Sequence, residues 1–311
     1  MDSLWVSNTL LPTLITAAVL LLILWPTRHS GKRLLQNWGL AEPTEPQAAE
    51  AVRYLRQRRL LYVLLFVVIP LLTGLVWPPG ADDRPPGNIL VPLLAGMLIA
   101  ELIATLRPVS GVRVASLDRR GWRDLVPRWA VVVTAVLAGW ALVLVGLGLA
   151  AQPWAQRYAA AIPPDGKLSG NGWSAEIDPV VRTQFLHPDG WLTLGGIAAC
   201  LIVVTVVVFL AVRRPATNDA EVDRALRTRT ARVAVAIGFL WLAGLVNDAQ
   251  NRLTFLAGTG RGVYRLPQPP GWLTESLHHV VEIAGFVLLI GALVCWMFLA
   301  MPSRKSLARA A

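Results

Sequence analysis

Two polar stripes near the end of the chain contain the residue types best suited to chemistry. The first stripe consists of Glu275, His278, His279 and Glu282. The second closes the preceding apolar segment and consists of Gly244, Asn247, Asp248 and Asn251. In each stripe the residues follow at i, i+3, i+4 and i+7, a spacing that places them on one face of a helix. If the two helices are antiparallel neighbours, the stripes face each other and form a polar pocket.

Three interpretations of this pocket remain open. Imidazole titrates near neutral pH, so the histidines suit a proton relay or a site for a polar substrate. Alternatively, His278 and Glu282, or His279 and Glu282, share one metal ion, with Asp248 or His187 as a further ligand. In the third interpretation these are polar residues at helix ends that meet water and lipid headgroups. We expect no cofactor, and zinc or iron is the alternative.

Glu282 and Glu101 are charges placed inside apolar segments. Glu282 lies about 7–8 Å below the predicted outer surface, where an ionisable group usually faces the bundle interior or a water-filled cavity. Glu101 lies about 9 Å from the opposite, inner surface, so it cannot join the pocket directly. Glu101 either pairs with an arginine at the inner face, extends toward the surface, or marks a separate polar step in a path.

The segments that must position these residues are long and apolar. Of the 311 residues, 55% are hydrophobic and only 15% are charged, whereas soluble proteins average about 25% charged residues. Runs of this length and composition are typical of membrane-spanning helices. We therefore predict an all-α membrane protein, a bundle of seven transmembrane helices within a single domain, 1–311. The predicted spans are 9–25, 60–77, 89–106, 129–150, 191–212, 233–250 and 277–300.

The distribution of basic residues predicts the orientation of these spans. The segments 27–59, 107–128, 213–232 and 301–311 together contain 22 of the 29 Lys and Arg residues. Because basic loops stay on the cytoplasmic side, this places the N-terminus outside and the C-terminus in the cytoplasm. The longest predicted outer loop, 151–190, is expected to form a partial cap or a short hairpin.

Composition and missing motifs exclude several classes of function. The net charge of +10 is explained by topology and is accompanied by no nucleic-acid-reading motif. Sequences typical of P-loop nucleotide hydrolysis, HExxH metalloproteases and GxSxG hydrolases are absent. We expect a multi-pass protein of a bacterial cell membrane, in contact with the lipid bilayer and with other membrane subunits. It is either a non-enzymatic transporter-like or accessory component, or a membrane-embedded metal-dependent hydrolase.

Overall fold

The computed structural model describes residues 25–76, 90–106, 121–170, 173–186, 189–213, 219–259 and 266–301. These residues are mostly helical, which confirms the prediction of an all-α fold. The helices are α1 Arg28–Asn37, α2 Glu45–Val76, α3 Leu90–Leu106, α4 Trp122–Leu125, α5 Arg128–Ala161, α6 Pro179–Leu186, α7 Asp189–Arg213, α8 Ala220–Thr259 and α9 Glu275–Ala300. Between α5 and α6, strands β1 Lys167–Gly170 and β2 Trp173–Glu176 form an antiparallel hairpin.

Four helices of the described part are long and apolar enough to cross a membrane, judged by length and composition. They cover Arg128–Ala161, Gly190–Arg213, Ala220–Gly258 and Glu275–Ala300. These helices contain the fourth to seventh predicted spans. Residues 60–76 and 90–106 of the second and third predicted spans lie in α2 and α3. The first predicted span lies outside the described residues, apart from Trp25.

The chain forms two compact units. One consists of Met1–Thr134, Cys200–Trp241 and Ala292–Ala311. Its apolar cluster joins α1 and α2 to the first turns of α8, and includes Leu35, Trp38, Leu55, Val222 and Leu226. The backbone N–H groups of Glu221 and Val222 donate to Asp219 Oδ1 at 3.1 and 3.2 Å, which starts α8. The predicted inner loop 213–232 is thus helical from Ala220 onward, because its apolar positions pack on α1 and α2.

The other unit consists of Ala135–Ala199 and Leu242–Gly291. Its cluster is built on α5, which continues to Ala161 although the predicted span ends at residue 150. The reason is a helical stripe of buried side chains, Ala151, Trp154, Ala155, Tyr158, Ala159 and Ile162. Phe185 of α6 contacts two of them, with ring centroids 5.7 Å from Trp154 and 4.6 Å from Tyr158.

The helices α8 and α9 differ sharply in how much of them is covered. In the most apolar stretch of α8, 78% of the residues are buried, whereas in that of α9 only 17% are. The few buried positions of α9 form a narrow stripe that includes Val281, Ala292 and Leu299. Most of the surface of α9 is therefore open to a bilayer or to another molecule.

Candidate functional site

The seven residues of the predicted pocket all lie in the second unit, on α8 and at the start of α9. The two helices touch just beyond the pocket, because Gln250 Nε2 donates a hydrogen bond to the backbone oxygen of Glu282 at 3.4 Å. The Gln250 amide also lies against Gly285, where a side chain would leave it no room. The helices α8 and α9 are therefore neighbours at this level, as the pocket hypothesis requires.

A capping hydrogen bond marks the start of α9, just before its polar residues. Thr274 Oγ1 accepts a hydrogen bond from the backbone N–H of Leu277 at 3.2 Å, as a capping side chain does. One turn on, His278 Nε2 lies 3.7 Å from Glu282 Oε2. The His278 and His279 ring centroids are 5.2 Å apart. The helix therefore gathers two imidazoles and one carboxylate along one edge.

These three side chains are a candidate metal-ligand set. His278, His279 and Glu282 each offer one ligand atom, and these atoms lie within 4.8 Å of one another. Two histidines and one glutamate are the ligands of several catalytic zinc sites. Ligand atoms around tetrahedral zinc are about 3.3 Å apart, given bonds of about 2.0 Å. The donor types thus fit zinc, and the side chains must rotate toward one another to bind it.

The remaining pocket residues are not brought into that group. Asp248, the fourth proposed ligand, is partly buried on α8 and is not one of the three clustered residues. Asn247 is also partly buried, whereas Asn251 and Glu275 are exposed. His187 lies outside the described residues. The metal hypothesis accordingly depends on α9 alone in the described part of the chain.

Glu282 does not face the interior of its unit as the sequence analysis expected. Its side chain is 61% exposed, and His279 is exposed as well. The neighbouring Ile283, Phe286 and Val287 are each at least 60% exposed. The α8 contact lies on the neighbouring edge of α9, where Gln250 meets Gly285, and it leaves the side chains of Glu282 and Phe286 exposed.

The first unit contains a second polar site, around Glu101. The Glu101 carboxylate forms an ion pair with the Arg58 guanidinium and accepts a hydrogen bond from the Tyr62 hydroxyl. Glu101 is fully buried and Arg58 is 2% exposed. Of the alternatives that the sequence left open for Glu101, this is the arrangement with an arginine partner.

Hydrogen bonds extend this site across to α8. Arg58 Nη2 donates to Thr230 Oγ1 at 2.8 Å, and Thr230 Oγ1 itself donates to the Leu226 backbone oxygen at 2.8 Å. The Tyr54 hydroxyl lies 2.9 Å from Thr230 Oγ1 and accepts from Arg229 Nη1 at 2.9 Å. Because the Thr230 proton is already used, Tyr54 must be the donor between these two hydroxyls. The donor and the acceptor of each of these hydrogen bonds are thereby assigned.

Sequence reasoning identified Glu101 but missed its partners. A signal for them exists: Tyr54, Arg58 and Tyr62 follow at four-residue intervals in α2, which places them along one face. Arg58 also precedes the second predicted span by two residues, on the predicted inner side, which is the side to which Glu101 is nearer. The buried network joins α2, α3 and α8 through an ion pair and hydrogen bonds, so we interpret it as a structural clamp.

The sequence matches no protein-family profile, and comparison with curated proteins and with solved structures finds no match.

Proposed function

We propose that this chain is a seven-span component of the bacterial cell membrane, with its N-terminus outside and its C-terminus in the cytoplasm. In this proposal it acts as a non-enzymatic accessory subunit that binds another membrane protein through α9. A transporter-like role would use the same polar residues to line a path. The accessory role fits better, because the polar residues of α9 stand on its open face.

The observation that carries the proposal is the exposed Glu282 among exposed apolar side chains. Ile283, Phe286 and Val287 suit a lipid-facing or helix-facing surface, and a carboxylate does not suit lipid. An acidic side chain at the centre of a membrane helix costs about 2.5–3.5 kcal/mol on insertion scales, which is an upper bound for Glu282 at about 7–8 Å below the surface. A neighbouring helix that supplies a cation or a hydrogen-bond donor removes this cost. We therefore propose that α9 binds a transmembrane helix of another protein. That helix places Arg, Lys or a polar hydrogen-bond donor at the depth of Glu282.

Photo-crosslinking of the full chain in its native membrane tests this proposal. A photoreactive amino acid at position 286 samples the open face of α9, and one at position 292 samples its buried edge. We expect position 286 to yield one adduct with a membrane protein, lost in Glu282→Ala and kept in Gly291→Ala. Position 292 should yield none. Adducts with lipid alone, or with a second copy of this chain, would refute the proposed partner.

The alternative function is a membrane-embedded metal-dependent hydrolase. The observation in its favour is the ligand set of His278, His279 and Glu282, whose donor atoms lie within 4.8 Å of one another. A zinc ion bound there would supply a water of lowered pKa as the nucleophile. The chain's own part would be to hold the three donors on one helix edge and to leave the fourth position open.

Metal analysis of the detergent-purified protein separates the two functions. About one equivalent of zinc or iron, lost in both His278→Ala and Glu282→Ala, would favour the hydrolase and count against the accessory role. Glu275→Ala is the matched control, because Glu275 lies on the same helix outside the clustered group. The accessory proposal expects no stoichiometric metal in any of these proteins.

A further inference from the structure

A basic cavity of about 330 Å³ lies in the first unit, away from the pocket residues. One face of α1 supplies Ser30, Arg33 and Asn37, which follow at helical spacing. Arg59 of α2 and Arg229 of α8 complete its polar lining. The described lining contains no acidic residue. Three arginines, a serine and an asparagine thus line one open space.

Within the described part of the chain, no carboxylate neutralises the charges of this cavity. Among the residues that the structure describes, no carboxylate pairs with Arg33 or Arg59. The Arg229 guanidinium donates to the Tyr54 hydroxyl, a neutral partner. Partial burial and the nearby Arg229 both lower the pKa of Arg59. An anion placed between these groups would relieve their repulsion.

A second, apolar cavity of about 290 Å³, which is open to the surface, shares Met301 with the first. Val294, Met297 and Phe298 of α9 line it, and Met301 lines both cavities. Phe298 and Met301 are 69% and 67% exposed. A polar, cationic space next to an apolar one matches a molecule that joins an anionic head to a hydrocarbon chain.

The position of the two cavities agrees with such a ligand. Arg59 immediately precedes the apolar part of α2, and Met301 immediately follows the apolar helix α9. This is the level at which phosphate headgroups meet acyl chains. The cytoplasmic leaflet is also the one enriched in anionic lipid, which attracts each surface Arg or Lys by about 1 kcal/mol.

We infer that the Arg33–Arg59–Arg229 cavity binds the phosphate of an anionic phospholipid, with an acyl chain along Met297 and Phe298. Arginine favours this role, because its planar fork of donors matches phosphate oxygens. The inference rests on the proposed membrane orientation and not on the function assigned to α9. A soluble phosphate compound would share the arginines and would leave the apolar cavity unused.

Binding of phosphatidylglycerol to the full chain in phosphatidylcholine nanodiscs tests the inference, with native mass spectrometry as the readout. The Arg33→Gln/Arg59→Gln double variant should weaken phosphatidylglycerol binding by about 100-fold, at about tenfold for each arginine, because each variant position loses a charge-assisted hydrogen bond to the phosphate. The matched control, Arg53→Gln/Arg224→Gln, removes two charges from exposed sites on α2 and α8 and should change binding less than twofold. Equal losses in the two double variants would overturn the inference in favour of general surface attraction.

Two further arms identify the source of the phosphate. Phe298→Ser should weaken phosphatidylglycerol binding and leave the binding of inorganic phosphate unchanged. If inorganic phosphate competes fully and Phe298→Ser has no effect, the ligand is a soluble phosphate and the lipid assignment is wrong. Carbonate extraction of cell membranes keeps this failure separate from failure of the membrane proposal. Release of the chain by carbonate would overturn both, whereas retention with unaltered binding by the Arg33→Gln/Arg59→Gln variant would overturn the lipid site alone.

Discussion

Arg58 and Glu101 form an ion pair whose two side chains are 2% and 0% exposed. The pair joins α2 to α3, and Thr230 joins the same arginine to α8. The Arg58 guanidinium also lies over the Tyr54 ring, 4.3 Å from its centroid. Two buried charges of this kind are stable only together, because each replaces the water that the other has lost.

Removing one member of this pair should strongly destabilise the protein. We expect Glu101→Leu or Arg58→Leu to lower the free energy of unfolding by about 3–5 kcal/mol, since each leaves an uncompensated buried charge. The Arg58→Leu/Glu101→Leu double variant should lose less than either single variant. Unfolding of the detergent-purified protein measures these differences. Lys32→Ala is the control, because it breaks the exposed Lys32–Glu45 pair, for which about 0–1 kcal/mol is expected. Additive losses in the double variant would contradict the clamp.

The helices of this fold could be predicted from apolar length, and their ends could not. Apolar runs identify the parts of α5 and α8 that are long and apolar enough to cross a membrane, because hydropathy measures what lipid tolerates. Hydropathy carries no information on whether a helix continues beyond the apolar run into water. The continuation of α5 depends on the packing of Trp154 and Tyr158 against Phe185, and on a hydrogen bond from Trp154 Nε1 to the Pro267 oxygen at 2.8 Å. Those contacts join residues that lie 27 to 113 positions apart in the sequence.

The candidate sites show the same division. Helical spacing places His278, His279 and Glu282 along one edge, and the structure brings these three together. Spacing cannot say which edge of α9 its neighbour covers, and here α8 covers the edge that contains Gly285. Glu101 was found because a charge in an apolar run is conspicuous. Its partner Arg58 was hidden among four arginines between residues 53 and 59.

A side chain at position 285 should loosen the contact between α8 and α9. The Cβ of Gly285→Ala would lie 2.5 Å from Gln250 Cδ, so the glutamine must move and lose its bond to the Glu282 oxygen. We expect a loss of about 1 kcal/mol in the free energy of unfolding. Gly291→Ala is the control, because nothing lies within 4 Å of its Cβ. It should be neutral or stabilising by up to about 1 kcal/mol through helix propensity.

Shortening Gln250 provides the complementary test of this contact. In a Gln250→Ala background the space beside Gly285 is open, so Gly285→Ala should no longer destabilise the protein. Denaturant unfolding of the four proteins gives the coupling between the two positions. If Gly285→Ala costs as much with Gln250 removed as with Gln250 present, the two side chains do not compete for one space.

The start of α8 should depend on pH through Asp219. A hydrogen bond from Gln47, 2.5 Å from Asp219 Oδ2, and then those from the N–H groups of Val222 and Glu221, lower the pKa of the Asp219 carboxyl from its usual 3.8. A lowered folded-state pKa means that this stabilisation is present above pH 3.8 and is lost as the pH falls through the folded-state pKa.

At pH 7 we expect Asp219→Ala to lower the free energy of unfolding by about 1 kcal/mol, the usual contribution of a helix N-cap. Asp219→Asn keeps a capping oxygen without a titratable group, so it should lose less and should approach the wild type on acidification. Unfolding midpoints measured between pH 7 and pH 3 test this, and an alanine penalty that stays constant over that range would show that the charge of Asp219 contributes nothing to the cap.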